Sequence, residues 1–271
     1  YQSTSKIDEK PILPVSVRET LSDVYYRKNP QATRRIIKAH NNEGLDQGMD
    51  TEALNAIIEE TFTDINITDN SIYLFLHNFV SPLSSSQSVD FYKWYIIDTV
   101  TINQERFINL GFVPFNTRDV GFSGNIFVTA DSTYAVKRIS MRVPNKINVN
   151  FVDEMLVVQE FEKLRPGLWI PTEFVTAIDI SMYGAVKFYV EKIKSFDHFA
   201  FNQPLDVIFA NPAPEIYLSD YKKHDSDYWQ ENRPAGFDED YKMGEMMDQL
   251  MSNTFIKIAV NTINILTAQY I

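Results

Sequence analysis

The residue types that most often carry chemistry are scattered in this sequence rather than patterned. Its four histidines, His40, His77, His198 and His224, include no H-x-H, H-E-x-x-H or E-x-x-H spacing. Neither a helix nor a strand would therefore turn two of them toward one metal ion. The chain has no cysteine, which excludes thiolate metal sites, iron–sulfur clusters, disulfides and cysteine nucleophiles together. "GFSGN" at 121–125 approaches a nucleophile elbow, but that motif needs G-x-S-x-G and Gly124 directly follows Ser123. In a strand pair Gly124 marks close backbone approach or a bulge. "DINITDN", Asp64 to Asn70, alternates oxygen-bearing side chains as a calcium loop does. It lacks the central glycine and closing glutamate, and so reads as a polar turn. What stays open is a pair of carboxylates acting on a glycosidic bond, which 36 acidic residues can form in space without a sequence signature. No metal and no cofactor is expected.

Two other groups invite a function. Tyr92, Trp94, Phe112 and Phe127 either line a cleft for an apolar ligand or form core beneath a helix. Glu19 and Asp23 lie in "RETLSD", which Ser16 could cap as a helix. Pro30, however, would end such a helix near Asn29. Reading Leu13 to about Lys38 as a hairpin turning at Lys28-Asn29-Pro30 sets Arg34, Arg35 and Lys38 roughly opposite Asp23 and Glu19. Opposite charges across a strand pair stabilise it by a few tenths to about 1 kcal/mol. The hairpin is the reading adopted.

The elements that would hold these residues are mostly strands. Asp50 or Thr51 can cap a short helix over about 51–62, with Leu54, Ile57, Ile58 and Phe62 as its apolar stripe. Strand-like runs then follow one another to about Phe196. Tyr92, Trp94, Ile96, Val100 and Ile102 share one face, and Asn103-Gln104 forms a turn. Ile108, Leu110 and Phe112 alternate in the next run, then Phe122, Ile126 and Val128 opposite Phe127, then Ile139, Met141 and Val143. Pro166-Gly167 and Tyr183-Gly184 break the later runs. No helix-length crossover separates them, so the pattern predicts an antiparallel meander and not a parallel doubly wound sheet. Large side chains on both faces of several strands call for a curved sheet. After Phe196 comes a polar, proline-containing connection. The stretches 238–253 and 254–271 then read as helices, the latter on Phe255, Ile258, Ala259, Ile263 and Leu266.

Bulk composition agrees with a folded domain. The chain has 271 residues, 44% of them hydrophobic and 13% aromatic, and disordered chains are poor in aromatics. A net charge of −11 argues against nucleic acid and against docking on an anionic membrane through a basic patch. No run reaches the roughly 20 apolar residues of a membrane helix. The start at Tyr1 and the apolar end "ILTAQYI" read as those of a piece of a longer chain.

Seven segments occur in an order that carries a resemblance: "SVRETLSDVYY" at 16–26, "FVSPLS" at 79–84, "YIIDTV" at 95–100, "GFSGNIFV" at 121–128, "KINVNFV" at 146–152, "LWIP" at 168–171 and "DYWQENRP" at 227–234. Together they resemble a family of envelope proteins of unknown function from Bacteroidota. That family carries a carboxypeptidase-regulatory-like β-sandwich in front and an outer-membrane β-barrel behind. The resemblance implies a periplasmic location associated with the outer membrane, and partners in the protein's own barrel and sandwich. It implies no peptidase, because the carboxypeptidase label belongs to an accessory fold. The strand layout is also similar to lipoprotein-carrier half-barrels of the LolA type. Within such a host, Asp131-Ser132-Thr133 resembles an acceptor for O-glycosylation at Ser132.

The expectation is an α+β protein, with a linker over 1–14 and a curved antiparallel meander over 15–200 enclosing the 51–62 helix. An extended connection and helical segment over 201–271 would lead toward a barrel. Its expected role is that of a non-catalytic interaction or ligand-handling module. The alternatives are a carboxylate-based hydrolase of envelope glycans and a structural plug or spacer for the barrel.

Overall fold

The computed structural model describes residues 13–44, 63–116, 118–143, 152–182, 186–202, 206–233 and 257–270. They are mostly strand. β1 (Leu13–Arg27) and β2 (Ala32–Gly44) form the first hairpin. β3 (Ser71–Leu74) and β4 (His77–Val80) form a small separate hairpin, followed by one turn of helix, α1 (Ser88–Phe91). Seven antiparallel neighbours then run in sequence order: β5 (Tyr92–Ile102), β6 (Glu105–Pro114), β7 (Ser123–Thr129), β8 (Val136–Val143), β9 (Val152–Arg165), β10 (Leu168–Met182) and β11 (Val186–Asp197). This is the meander that the alternating sequence predicts.

The turns follow from their residues. Asn103 and Gln104 both take positive φ, 50° and 68°, the twist that a two-residue hairpin turn requires. Pro166-Gly167 presets one turn dihedral and frees the next, with Gly167 at φ 77°, as a type II turn demands. Gly124 is fixed by proximity, since a Cβ there would lie 1.9 Å from the backbone oxygen of Ser140.

Two expectations change. Most of the expected 254–271 helix is instead β13 (Lys257–Tyr270), which inserts between β1 and β11 and runs parallel to both. The segment is rich in β-branched residues, Ile258, Val260, Thr262, Ile263, Ile265 and Thr267, which suit a pleated surface better than a helix. A short strand, β12 (Glu215–Tyr217), also pairs parallel with β2, so the sheet is not wholly antiparallel. The full order is β12-β2-β1-β13-β11-β10-β9-β8-β7-β6-β5, an open sheet of mixed direction. The second change is local. The register slips between Ile96 and Asp98, so the bulge at Ile97 turns Val100 and Ile102 to the face opposite Tyr92 and Trp94. The expected helices at 51–62 and 238–253 lie outside the described residues.

The core lies on one face of the meander, under residues 65–91. Ile67, Ile72, Leu74, Phe75 and Phe79 pack onto Tyr92, Phe112, Phe122, Ile126, Ile139, Met141, Met155 and Ile178. The first hairpin has its own cover on the outer side. There α3 (Ser226–Asn232) packs on it, with Trp229 sealing against Leu21 and Ala39, while β12 extends the sheet beyond β2 after the short helix α2 (Asp206–Ala210). Asp225 caps α3 by accepting a hydrogen bond from the Tyr228 N–H at 3.0 Å.

Candidate functional site

Alternation places Val190, Lys192, Lys194 and Phe196 of β11 on the inner face, opposite Ile178, Thr176 and Phe174 of β10. At one end of this face the row is aliphatic, and at the other it is aromatic, with Phe174 stacked edge-on against Phe196 at 4.8 Å and tilted against Phe161 at 5.6 Å. Between the two ends lies a cavity of about 190 Å³. Its lining includes Val24, Arg35, Asp64, Gln159, Lys192 and Lys194. In a flat sheet the five strand spacings from β2 to β9 would separate Arg35 from Gln159 by about 24 Å. Their meeting around one cavity requires the sheet to curl.

Both lysines are buried, with side-chain exposures of 5% and 8%, and both reach Asp64. Lys192 Nζ lies 3.2 Å from Asp64 Oδ1, Lys194 donates to the same oxygen, and Arg35 Nη2 stands 3.6 Å from Oδ2. Arg35 also meets Glu215 at 3.2 Å. Gln159 Nε2 donates to the Ile65 carbonyl at 2.8 Å, so residues 63–65 are held down over the cavity from two strands. Partial desolvation works against ionising Asp64, whose side chain is still 60% exposed, but Lys194, Lys192 and Arg35 outweigh it and hold the carboxyl down at about 2. Burial, and then the neighbouring Lys194, bring Lys192 down to about 8 despite Asp64. Lys194 is lowered too, with burial outweighing Asp64.

The aromatic residues singled out by sequence lie elsewhere. Tyr92 and Phe112 are buried at 1% and 0% exposure, with Trp94 packed beside them at ring distances of 6.5 and 5.2 Å. The Tyr92 hydroxyl donates to the Val80 carbonyl at 2.5 Å and accepts from the Phe122 N–H at 3.1 Å, and its burial raises its pKa. Phe127 is half-buried on the opposite face, in register with Arg138. None of the four lines the cavity described above.

The charged residues singled out in the first hairpin, Glu19, Asp23, Arg34, Arg35 and Lys38, go four ways. Lys38, the extra residue at a register shift, reaches Asp23 at 2.8 Å. Arg34 donates to the Asn211 carbonyl at 2.9 Å, and Arg35 joins the cavity. Glu19, fully buried on the outer face, takes Nε and Nη2 of Arg233 at 2.6 and 3.0 Å and Nδ2 of Asn41 at 3.2 Å. Ser132 is exposed in the β7–β8 turn. There Asp131 accepts from the Thr133 hydroxyl and N–H and from the Thr129 hydroxyl, which hold its carboxyl at about 2. Among the described residues no three His, Asp or Glu converge as metal ligands.

Sequence reasoning missed Lys192, Lys194 and Asp64 as a unit. "VEKIKSF" does carry a signal. Its two lysines share parity with Val190 and Phe196, so a strand that buries those two must bury the lysines as well.

The model of a family of unknown function (DUF5686) matches residues 3–198. No curated protein and no solved structure matches the chain.

Proposed function

The chain belongs to the family of unknown function DUF5686, and from that premise we propose a non-catalytic ligand-handling module of the cell envelope, with the cavity under Thr63–Ile65 as its ligand site. One observation carries this reading: among the described residues, three cations, two of them buried lysines, face a single lining carboxylate in a cavity with apolar walls at Val24, Val157, Phe174 and Phe196. That chemistry favours a small amphiphile with one negative charge. Its volume of about 190 Å³ equals that of roughly six water molecules at ~30 Å³ each. This suits a short acyl carboxylate or a headgroup, and is less than the ~300 Å³ at which whole drug-sized ligands begin to fit.

The hydrolase alternative needs two carboxyls facing across a cleft, one of them able to donate a proton. Among the described residues Asp64 is the one carboxylate in the lining, and it is held ionised. Glu160 and Glu173 are direct cross-strand neighbours on the opposite face. The curled sheet supports a LolA-like half-barrel layout. The periplasmic, outer-membrane-associated setting and the flanking sandwich and barrel rest on the ordered segments that resemble the envelope family.

Calorimetric titration of the 271-residue chain with hexanoate, hexanol and hexylamine tests the ligand reading. Hexanoate is expected to bind and the other two are not, and Lys194→Met should abolish the difference. Equal behaviour of the three compounds would refute it. Recovery of the full-length protein in the soluble cytosolic fraction would refute the location.

A further inference from the structure

The meander ends at β5, which pairs with β6 on one side and with no described strand on the other. Long apolar edges are normally blunted by charge, proline or a cover, because their free backbone groups recruit another strand. Here the edge presents Tyr95, Ile96 and Ile97 in succession at 50, 69 and 50% exposure, with Ile102 at 42% beyond them. Facing is set by the bulge. Lys93 pairs with Val113, Tyr95 with Gly111 and Asp98 with Asn109, whereas Trp94 pairs with Phe112 and Ile96 with Leu110. Lys93, Tyr95 and Asp98 therefore point to one face and Trp94 and Ile96 to the other, despite their mixed numbering. Tyr95 is seated over Gly111, where a Cβ would fall 2.4 Å from its ring.

We propose that β5 binds β5 of a second copy of this chain, antiparallel, about a twofold axis at Tyr95. In that register Tyr95 meets its own counterpart and Trp94 meets Ile96 of the other copy. Lys93 meets Asp98, twice by symmetry. Every pair matches in facing, because the bulge sets Ile96 and Ile97 together against one Trp94. The register is self-complementary in charge, as a closed isologous contact requires, whereas a parallel in-register pairing would set Lys93 against Lys93. Aromatic–β-branched and opposite-charge cross-strand pairs are each stabilising, and main-chain bonds to the open edge supply the rest, as in strand addition generally.

Sedimentation equilibrium of the 271-residue chain over a wide concentration range tests this. A monomer–dimer equilibrium is expected. Lys93→Asp or Asp98→Lys alone should weaken it roughly tenfold, since each reversal turns two attractive pairs into repulsive ones. The double variant should restore it, because the reversed charges again meet as opposites. Both positions are solvent-exposed, and circular dichroism of each variant checks that it folds. A chain that stays monomeric overturns the proposal, as does a dimer indifferent to the single reversals or a double variant no better than either single one.

Discussion

The most exposed consequence of a single side chain here is that of Arg233, which holds a carboxylate with no access to water. Glu19 is 0% exposed and receives two hydrogen bonds from the guanidinium. Arg233→Met leaves that charge buried with Asn41 as its remaining donor. A loss of about 3–5 kcal/mol is expected in urea unfolding. Replacing both residues with Met should cost much less than the single change, because no charge is then stranded. The cavity network is read by pH. The Asp64 carboxyl is depressed in the fold, so its stabilising contribution is present above the ordinary carboxylate range and is lost as pH falls through about 2. Lys192 is also depressed, so its protonated form burdens the fold below about 8. An anionic ligand favours that protonated form. Hexanoate affinity is therefore expected to fall as pH rises through about 8, and titrations at stepped pH check it. At this scale the sequence showed the residues but not the company they keep. Asp23 and Lys38 lie within one hairpin, where opposite charges were expected to face one another without the pair itself being assigned. Glu19 and Arg233 are far apart in the chain and left no local pattern.

Elements were more legible than contacts, because period-two alternation is a local property. Ile108, Leu110 and Phe112, and Ile139, Met141 and Val143, share faces as their spacing indicates. The misreadings have physical causes. Ile258, Ala259, Ile263 and Leu266 satisfy a helical stripe by coincidence in a segment whose β-branched residues favour a strand, and the Ile97 bulge inverts parity without any glycine or proline to announce it. Besides its apolar packing, the inner hairpin β3–β4 is tied to the sheet by one hydroxyl. Tyr92→Phe strips both the Val80 carbonyl and the Phe122 N–H of their partner, and a loss of about 1–3 kcal/mol in thermal or chemical unfolding is expected. Gly124→Ala should be worse, since the backbone of Ser140 occupies the place of the new methyl. Truncation before Lys257 would leave β1 and β11 with bare facing edges. Aggregation measurable by light scattering is expected of that shortened chain.

At the scale of the molecule, the curl of the sheet and the cavity could not be read from sequence, because both arise where β1, β2, β9, β10, β11 and residues 63–65 meet. Large side chains on both strand faces gave only the general expectation of curvature. The insertion of β13 has a mechanical consequence. β1 and β13 run side by side in the same direction from Leu13 and Ile258 to Tyr26 and Tyr270. Tension applied at the two ends of the chain thus pulls the strands along their axes in opposite senses. The ladder is loaded in shear, so its hydrogen bonds resist together instead of opening one at a time like a zip. Stretched between two anchors, this fold should yield at high force and in one step, with the β1–β13 seam as its breaking point.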